Sequence, residues 1–310
     1  MRILLTAVGK RIQLITHLKK SLEVFGADCS DLAPAMYFVD RFFKIPRYDE
    51  KGYIDILAHI CESEKIDILV PLYEREYKLL LKNEDKLIQS GTKLLLSPYK
   101  TIECFNDKYK TYEFFRKNNI NTPKTWLKSD ISYSCKTLKF PLIIKPIDGM
   151  GSSNVFKAKN RKELEFFIDY IENPIVQEYI EGTEYTIDVL CDFNGKVISV
   201  VPRERIEVRS GEVSKSRTVK DFNIIDAVIN LCSKTKFVGP ITIQCIVTLK
   251  GEIKFIEVNP RFGGGVPLTF EAGVDYGKYF ELMIKGEKIV PIIGEFKELT
   301  MLRYDEAVFL

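Results

Sequence analysis

The pattern of apolar and polar positions changes character about a third of the way along the chain. Before that point, short apolar runs alternate with stretches of helical period. Ile3-Leu4-Leu5-Thr6-Ala7-Val8-Gly9 has the composition of a buried strand, residues 11–25 carry an amphipathic helical pattern, and residues 27–32 form a second strand. A helix over 53–64, the run Ile66-Asp67-Ile68-Leu69-Val70-Pro71, a helix over 74–89 and a strand over 93–96 continue the series. Strands that alternate with helices predict an open parallel sheet, because a parallel crossover needs a connection long enough for a helix. The unit is expected to end near Ser97-Pro98.

Beyond it, strands dominate. Asp107 is a suitable cap for a helix over 108–118, which Asn119-Ile120-Asn121-Thr122-Pro123 stops. Phe140-Pro141-Leu142-Ile143-Ile144-Lys145-Pro146 predicts a short strand with a lysine near its end, and a returning strand follows over 155–158. The loop between them, Asp148-Gly149-Met150-Gly151-Ser152-Ser153-Asn154, has backbone N–H groups and hydroxyls able to wrap phosphate oxygens, although an ordinary hairpin turn has the same composition. It is not a Walker A loop, in which the lysine follows the glycines and a helix comes next. After a helix over 161–171, residues 175–189 read as a strand, a bend at Gly182 and a second strand. Such a linker offers backbone groups beside apolar residues to a planar base, and Glu178 or Glu184 can accept a ribose hydroxyl.

Strands over 196–201 and 203–208 follow, in which alternation puts Arg203, Arg205 and Glu207 on one face. That face is either a solvated hairpin laced with weak ion pairs or, if it looks inward, a place for an anionic substrate. A helix over 224–235 precedes two β-rich runs, 241–248 and 253–259, with Lys250-Gly251 between them as a two-residue turn. In that register Gln244 faces Glu257 and Thr242 faces Asn259, so Gln244, Glu257 and Asn259 gather on one face. One carboxylate with two amide oxygens suits Mg²⁺, which takes its remaining ligands from nucleotide phosphates and water. A helix over 268–285 and a strand over 299–304 complete the pattern.

Composition narrows the chemistry. The 310 residues are 45% hydrophobic and 29% charged, an ordinary globular mixture with room for two or three domains. Forty-six basic against 43 acidic residues give a formal charge of +3, which is no argument for nucleic acid. Seven cysteines without a Cys-x-x-Cys pair read as reduced thiols of a cytoplasmic protein. Only two histidines are present, His17 and His59, both in predicted helices, which disfavours zinc sites and a Ser-His-Asp triad. No apolar run approaches the roughly 20 residues of a membrane span. Gly9 stands alone at its strand-to-helix turn, without the further glycines of a dinucleotide fingerprint. Pro71-Leu72-Tyr73-Glu74 lies at the carboxyl end of a predicted parallel strand, where it could touch substrate or simply start a helix.

Lys108, Lys145 with its glycine-serine loop, Gln177-Glu178-Tyr179-Ile180-Glu181-Gly182, Gln244 and Glu257-Val258-Asn259-Pro260-Arg261 occur in the order and approximate spacing of the ATP-grasp superfamily. The chain most resembles a single synthetase module of the carbamoyl-phosphate synthetase large subunit. That resemblance implies an α/β and α+β fold: a Rossmann-like pre-ATP-grasp domain over 1–98, an ATP-grasp small subdomain over 99–180 and a C-terminal subdomain over 181–310. It implies that Lys108 and Lys145 contact the phosphates of ATP and that Gly149, Gly151, Ser152 and Ser153 belong to the loop closing over them. Glu178, Tyr179 and Ile180 match the adenine linker, and Glu184 matches the ribose ligand. Gln244, Glu257 and Asn259 match the Mg²⁺ ligands, with Mn²⁺ as a substitute, and Arg261 the arginine beside the transferred phosphate.

The activity so implied is ADP-forming ligation, in which a small carboxylate is phosphorylated and then attacked by an amine; a homodimer is compatible with the same likeness. Two alternatives stay open, a bicarbonate-activating enzyme and an ATP-binding module without turnover. Gly263-Gly264-Gly265, after Arg261, departs from the more polar stretch of the synthetase. These glycines either offer N–H groups to a tetrahedral intermediate or serve close packing.

Overall fold

The computed structural model describes residues 1–131, 138–149, 151 and 153–310, arranged around three sheets. The first holds β1 (Arg2–Thr6), β2 (Glu23–Asp28), β3 (Arg41–Lys44), β4 (Ile68–Pro71) and β5 (Lys93–Leu94) in the order β3-β2-β1-β4-β5. Every pairing in it is parallel, as the alternating pattern predicts. Both faces are covered: Ile3 and Leu5 join one core cluster while Leu4 joins the other. The strand order reverses between β1 and β4, so the loops after these two strands flank the crevice where open α/β sheets bind ligands.

The second sheet, β6 (Thr125–Leu127), β7 (Leu142–Pro146), β8 (Phe156–Ala158) and β9 (Pro174–Glu178), is antiparallel in the order β6-β9-β7-β8. The helix Arg161–Tyr170 covers it through Leu164 and Ile168. The third sheet has β10 (Gly182–Cys191), β11 (Val197–Arg209), β12 (Glu212–Thr218), β13 (Gly239–Thr248), β14 (Ile253–Asn259), β15 (Ile292–Ile293) and β16 (Thr300–Leu302). Its path is β14-β13-β10-β11-β12-β16, and β15 pairs alongside β11. The helix Phe222–Cys232 buries Ile224, Ile225, Val228 and Leu231 in the core that this sheet shares with one face of the first.

Several boundaries depart from the sequence pattern. The first helix spans only Ile12–Leu18, because Val24 and Phe25, which fit its period, are paired with Ile3 and Leu4. The short edge strand β3 was not anticipated; Phe42-Phe43 between charged neighbours is too brief to show a period. The predicted helix over 268–285 is two helices, Pro267–Glu271 and Tyr276–Lys285, divided at Gly273 with φ +113° and restarted by Asp275, whose carboxylate accepts from Lys278 N.

β11 runs unbroken through Pro202. The carbonyl of Pro202 accepts from Val219 N on the β12 side, where pairing begins only at Arg203–Thr218, so the missing N–H of the proline deprives no ladder. Near the β13–β14 turn, residues face each other one step out of the expected register: Thr248 N donates to Glu252 O, leaving a three-residue turn at Leu249, Lys250 and Gly251. A bulge at Ile256 then restores the pairs Gln244–Glu257 and Thr242–Asn259.

Candidate active site

A cavity of about 470 Å³ is lined by residues of the second and third sheets together with Arg11 and Glu74, which follow β1 and β4 of the first. Lys145, near the end of β7, is buried, and its Nζ donates to Gln177 Oε1 on β9 at 2.9 Å; Gln177 Nε2 donates in turn to Thr125 Oγ1 on β6 at 2.9 Å. Burial pushes the Lys145 ammonium down to about 8, Lys108 adds to the effect, and Glu257 opposes it. Lys108 opens the helix Lys108–Lys117, which Asp107 caps by accepting from Tyr109 N and Lys110 N. Its Nζ donates to the carbonyl of Gly149 at 2.5 Å, tying the helix to the glycine-serine segment. Gly149, Gly151 and Ser153 line the cavity, whereas Ser152 lies outside the described residues.

Glu178, Tyr179 and Ile180 line it where the chain leaves β9. Glu178 N donates to the Lys124 carbonyl at 2.8 Å, Lys124 N donates to the Glu178 carboxylate at 3.2 Å, and the Tyr179 ring centroid lies 3.5 Å from Lys157 Nζ. Glu184, on β10, faces Arg205 of β11, with Nε 3.0 Å from the carboxylate but not aligned as a hydrogen bond. Burial raises the Glu184 carboxyl and Arg205 partly offsets that.

Gln244, Glu257 and Asn259 line the same cavity, and Asn259 Nδ2 donates to Glu257 Oε1 at 2.7 Å. Burial pushes the Glu257 carboxyl up, but Lys108, Lys145, the Asn259 hydrogen bond and Arg261 more than reverse it, so its pKa lies below the usual carboxylate value. Among the described residues no group of three or more His, Cys, Asp or Glu could hold a metal. A lone ionised carboxylate flanked by two amides instead fits an ion that takes most of its ligands from phosphate and water.

Arg261 is paired with Glu74, from the loop after β4, and its Nη1 donates to the carbonyl of Phe262 at 3.2 Å. Thr242 Oγ1 fixes the Arg261 carbonyl at 2.9 Å. Burial lowers the Arg261 pKa, and Glu74, Tyr77 and Glu257 together raise it above the ordinary value. Glu74 therefore lines the cavity, and it also starts the short helix Glu74–Glu76.

Several details go beyond the sequence pattern or decide between its readings. Arg203 faces inward but is already engaged: Nε and Nη2 donate to Asp188 at 2.7 and 2.9 Å, with the side chains 1% and 2% exposed. Asp188 also accepts from Thr269 Oγ1 at 2.5 Å. The signal for that pair was a lone carboxylate within the apolar run Ile187-Asp188-Val189-Leu190. Glu207 does not share their face, because β11 is irregular between Arg205 and Glu207 and the carboxylate pairs outside with Arg209 and Lys215. The glycines after Arg261 serve close packing at two positions: a Cβ would lie 2.9 Å from Thr242 Oγ1 at Gly263 and 2.2 Å from Arg203 Nη1 at Gly265. Finally, Arg11, just before the first helix, and Glu212, the first residue of β12, join the lining without having been singled out as site residues by the pattern. His17 is a packing residue, stacked 3.8 Å from Phe270.

A nucleotide-sized cavity between a small antiparallel sheet carrying a buried lysine and a larger one carrying Glu-x-Asn-x-Arg defines a class of nucleotide-dependent proteins. The family model of the ATP-grasp domain matches residues 105–265, and the chain belongs to that family. Residues 3–95 match the model of the PylC-like N-terminal domain. A carbamoyl phosphate synthase large chain from Thermoanaerobacter sp. is 28% identical over 263 residues, which cover 78% of this chain and 24% of the relative. The chain thus spans about a quarter of the length of such curated relatives.

Among solved structures, an L-amino acid ligase from Bacillus licheniformis superposes with TM-score 0.74 and 20% identity, covering 96% of this chain and 78% of that one. The biotin carboxylase domain dimer of the Hydrogenobacter thermophilus 2-oxoglutarate carboxylase, in complex with MgADP, ADP and bicarbonate, gives TM-score 0.75 and 18% identity over 95% and 72% of the two chains. No helix among the described residues is long and apolar enough to cross a membrane.

Proposed function

We propose that the chain is an ADP-forming, ATP-dependent ligase that activates a small carboxylate as an acyl phosphate for attack by an amine. The observation that carries this reading is the burial of Lys145 with Glu257 in the cavity that Lys108 and Arg261 also line. ATP-grasp enzymes use ATP and Mg²⁺. Here Lys108, Lys145, Gly149, Gly151, Ser152 and Ser153 would hold the phosphates, Glu178, Tyr179 and Ile180 the base, and Glu184 the ribose. Gln244, Glu257 and Asn259 would hold the metal ion, for which Mn²⁺ shares the oxygen preference. Bound nucleotide and metal supply the phosphoryl group and neutralise its charge.

A carboxylate is a poor acyl donor because its leaving group would be oxide. Its oxygen attacks the γ-phosphorus as the bond to the departing ADP oxygen breaks, giving an acyl phosphate. The amine nitrogen then attacks the acyl carbon, phosphate leaves with the electron pair of the C–O bond, and the amine gives up a proton. Charge developing on the phosphoryl oxygens is met by the fixed cations Lys145 and Arg261, and no residue forms a covalent bond.

A division at 1–98, 99–180 and 181–310 is supported by the three sheets, each built from one of these stretches. The carboxylase neighbour is a dimer, and a homodimer is proposed here. The six described cysteines, all unpaired, support a cytoplasmic location. A second reading, bicarbonate as the acid, draws on the carbamoyl phosphate synthase relative and on the bicarbonate in the carboxylase neighbour. Measuring ADP release with bicarbonate alone against a panel of carboxylates paired with amines separates the two. ATP binding without ADP release on any acid would overturn both in favour of a non-catalytic module.

A further inference from the structure

The cavity lining includes two charged residues, Arg11 and Glu212, to which the phosphoryl chemistry assigns no role. Arg11 follows β1 and Glu74 follows β4, so the two stand on either side of the point where the order of the first sheet reverses. Arg11 lines the cavity, and among the described residues no hydrogen bond or ion pair engages its guanidinium. Burial and the nearby charge of Arg261 lower its pKa, against the pull of Glu212. The side chain is only partly buried, so its guanidinium stays accessible to an incoming anion.

A second observation points to the same place. Arg203 Nη1 is buried, has no acceptor, and belongs to a residue that lines the cavity and is 1% exposed. It lies against Gly265, next in the chain to Gly264, whose added Cβ would be 3.4 Å from the Glu212 carboxyl carbon. Arg11, Glu212 and the free edge of Arg203 therefore form one mixed-charge part of the lining. Glu212 itself is held ionised: burial raises its pKa, and Arg303, which donates to it at 2.9 Å, outweighs burial together with Lys10 and Arg11.

Building on the ligase reading, we propose that Arg11 is a specificity-determining residue that binds a carboxylate carried by the amine substrate, while Glu212 faces its ammonium group, so that the acceptor is an α-amino acid or a peptide rather than ammonia or a simple amine. A zwitterion seated between these groups lies beside Arg261, which is among the charges nearest Arg11, and its ammonium must lose a proton before the nitrogen attacks. An acceptor lacking its own anion would leave Arg11 unmatched.

The test uses the full chain with MgADP bound. Glycine, L-alanine, L-glutamate and L-lysine, and the α-amide of each, are titrated by calorimetry into the wild type, Arg11→Ala and Arg11→Lys, with MgADP affinity read in parallel to detect unfolding. At least one free amino acid is expected to bind about 10- to 100-fold more tightly than its amide, the range of a charge-assisted hydrogen bond. Arg11→Ala should remove that preference and Arg11→Lys should recover part of it. Equal binding of acids and amides to the wild type, or no binding of either, overturns the proposal whatever the variants do. ADP release with carboxylates is measured separately. If ADP forms with an acid and ethylamine while no amino acid binds, Arg11 has no such role and the ligase reading stands; if amino acids bind through Arg11 but ADP never forms, the ligase reading fails instead.

Discussion

Replacing Asp188 by Asn should be among the most damaging single changes in the chain, although its position gives it no part in the chemistry. The carboxylate receives two bonds from Arg203 at 2.7 and 2.9 Å and one from Thr269, with both charged side chains almost wholly excluded from water. The substitution preserves shape but strands a buried guanidinium whose Nη1 already has no acceptor. Breaking a buried pair from one side costs about 3–5 kcal/mol, which corresponds to a fall of roughly 6–20 °C in the midpoint of thermal unfolding. Urea titration followed by far-UV dichroism gives the free energy directly. The double variant Asp188→Leu/Arg203→Met removes both charges and should lie within about 2 kcal/mol of the wild type. A loss below about 1 kcal/mol for Asp188→Asn alone would refute the assignment of Asp188 as the counter-charge that Arg203 depends on.

Other outcomes follow from the same geometry. Glu257→Ala is expected to reduce ADP formation by about 100-fold or more, measured by a coupled assay, because three cations then face the phosphates without the metal that Glu257 would hold. Lys145, at about 8 in the free protein, should be returned to its charged form by nucleotide phosphates, so ATP binding above pH 8 should take up protons. Calorimetry in two buffers of different ionisation enthalpy reads that uptake, and identical apparent enthalpies would count against it. Glu76 is 2% exposed, accepts from Thr6 and Tyr53, and is raised by burial from 4.5 to about 7. Its folded pKa is the higher one, so its contribution is full below about pH 4.5 and declines by about 3 kcal/mol as pH rises through 7; Glu76→Gln should abolish that part of the pH profile of stability. Gly265→Ala would place a Cβ 2.2 Å from Arg203 Nη1 and 2.8 Å from Val213, and should cost about 1–3 kcal/mol in the same urea titration.

Much of this architecture was visible in the order of residue types. Strand-helix alternation before Ser97-Pro98 predicts the parallel sheet, and the placement of Gln244 opposite Glu257 follows from pairing two apolar runs across one turn. Two compensating departures, a longer turn and a bulge at Ile256, left that placement correct although the local register was not. Hidden from the pattern were groups whose roles depend on a distant partner. Arg203 belongs to a charge-rich strand that reads as solvated until Asp188 is seen beside it, fifteen residues earlier on the neighbouring strand. Glu74 and Arg261 are 187 residues apart, and no local period links them. The same limit applies to Arg11, which reads only as the start of a helix until the first sheet is folded against the third.

The bulge at Ile256 stands between the tip of the β13–β14 hairpin and the pairs that face the cavity. Because the ladder is re-set there, changes in length at Leu249-Lys250-Gly251 need not propagate to Gln244 and Glu257. The tip is exposed, Leu249 at 88%, and an added Cβ at Gly251 would meet nothing within 4 Å. That makes it a natural place to graft a fluorophore or an affinity handle, giving a reporter attached to the very strands that line the cavity without disturbing their alignment.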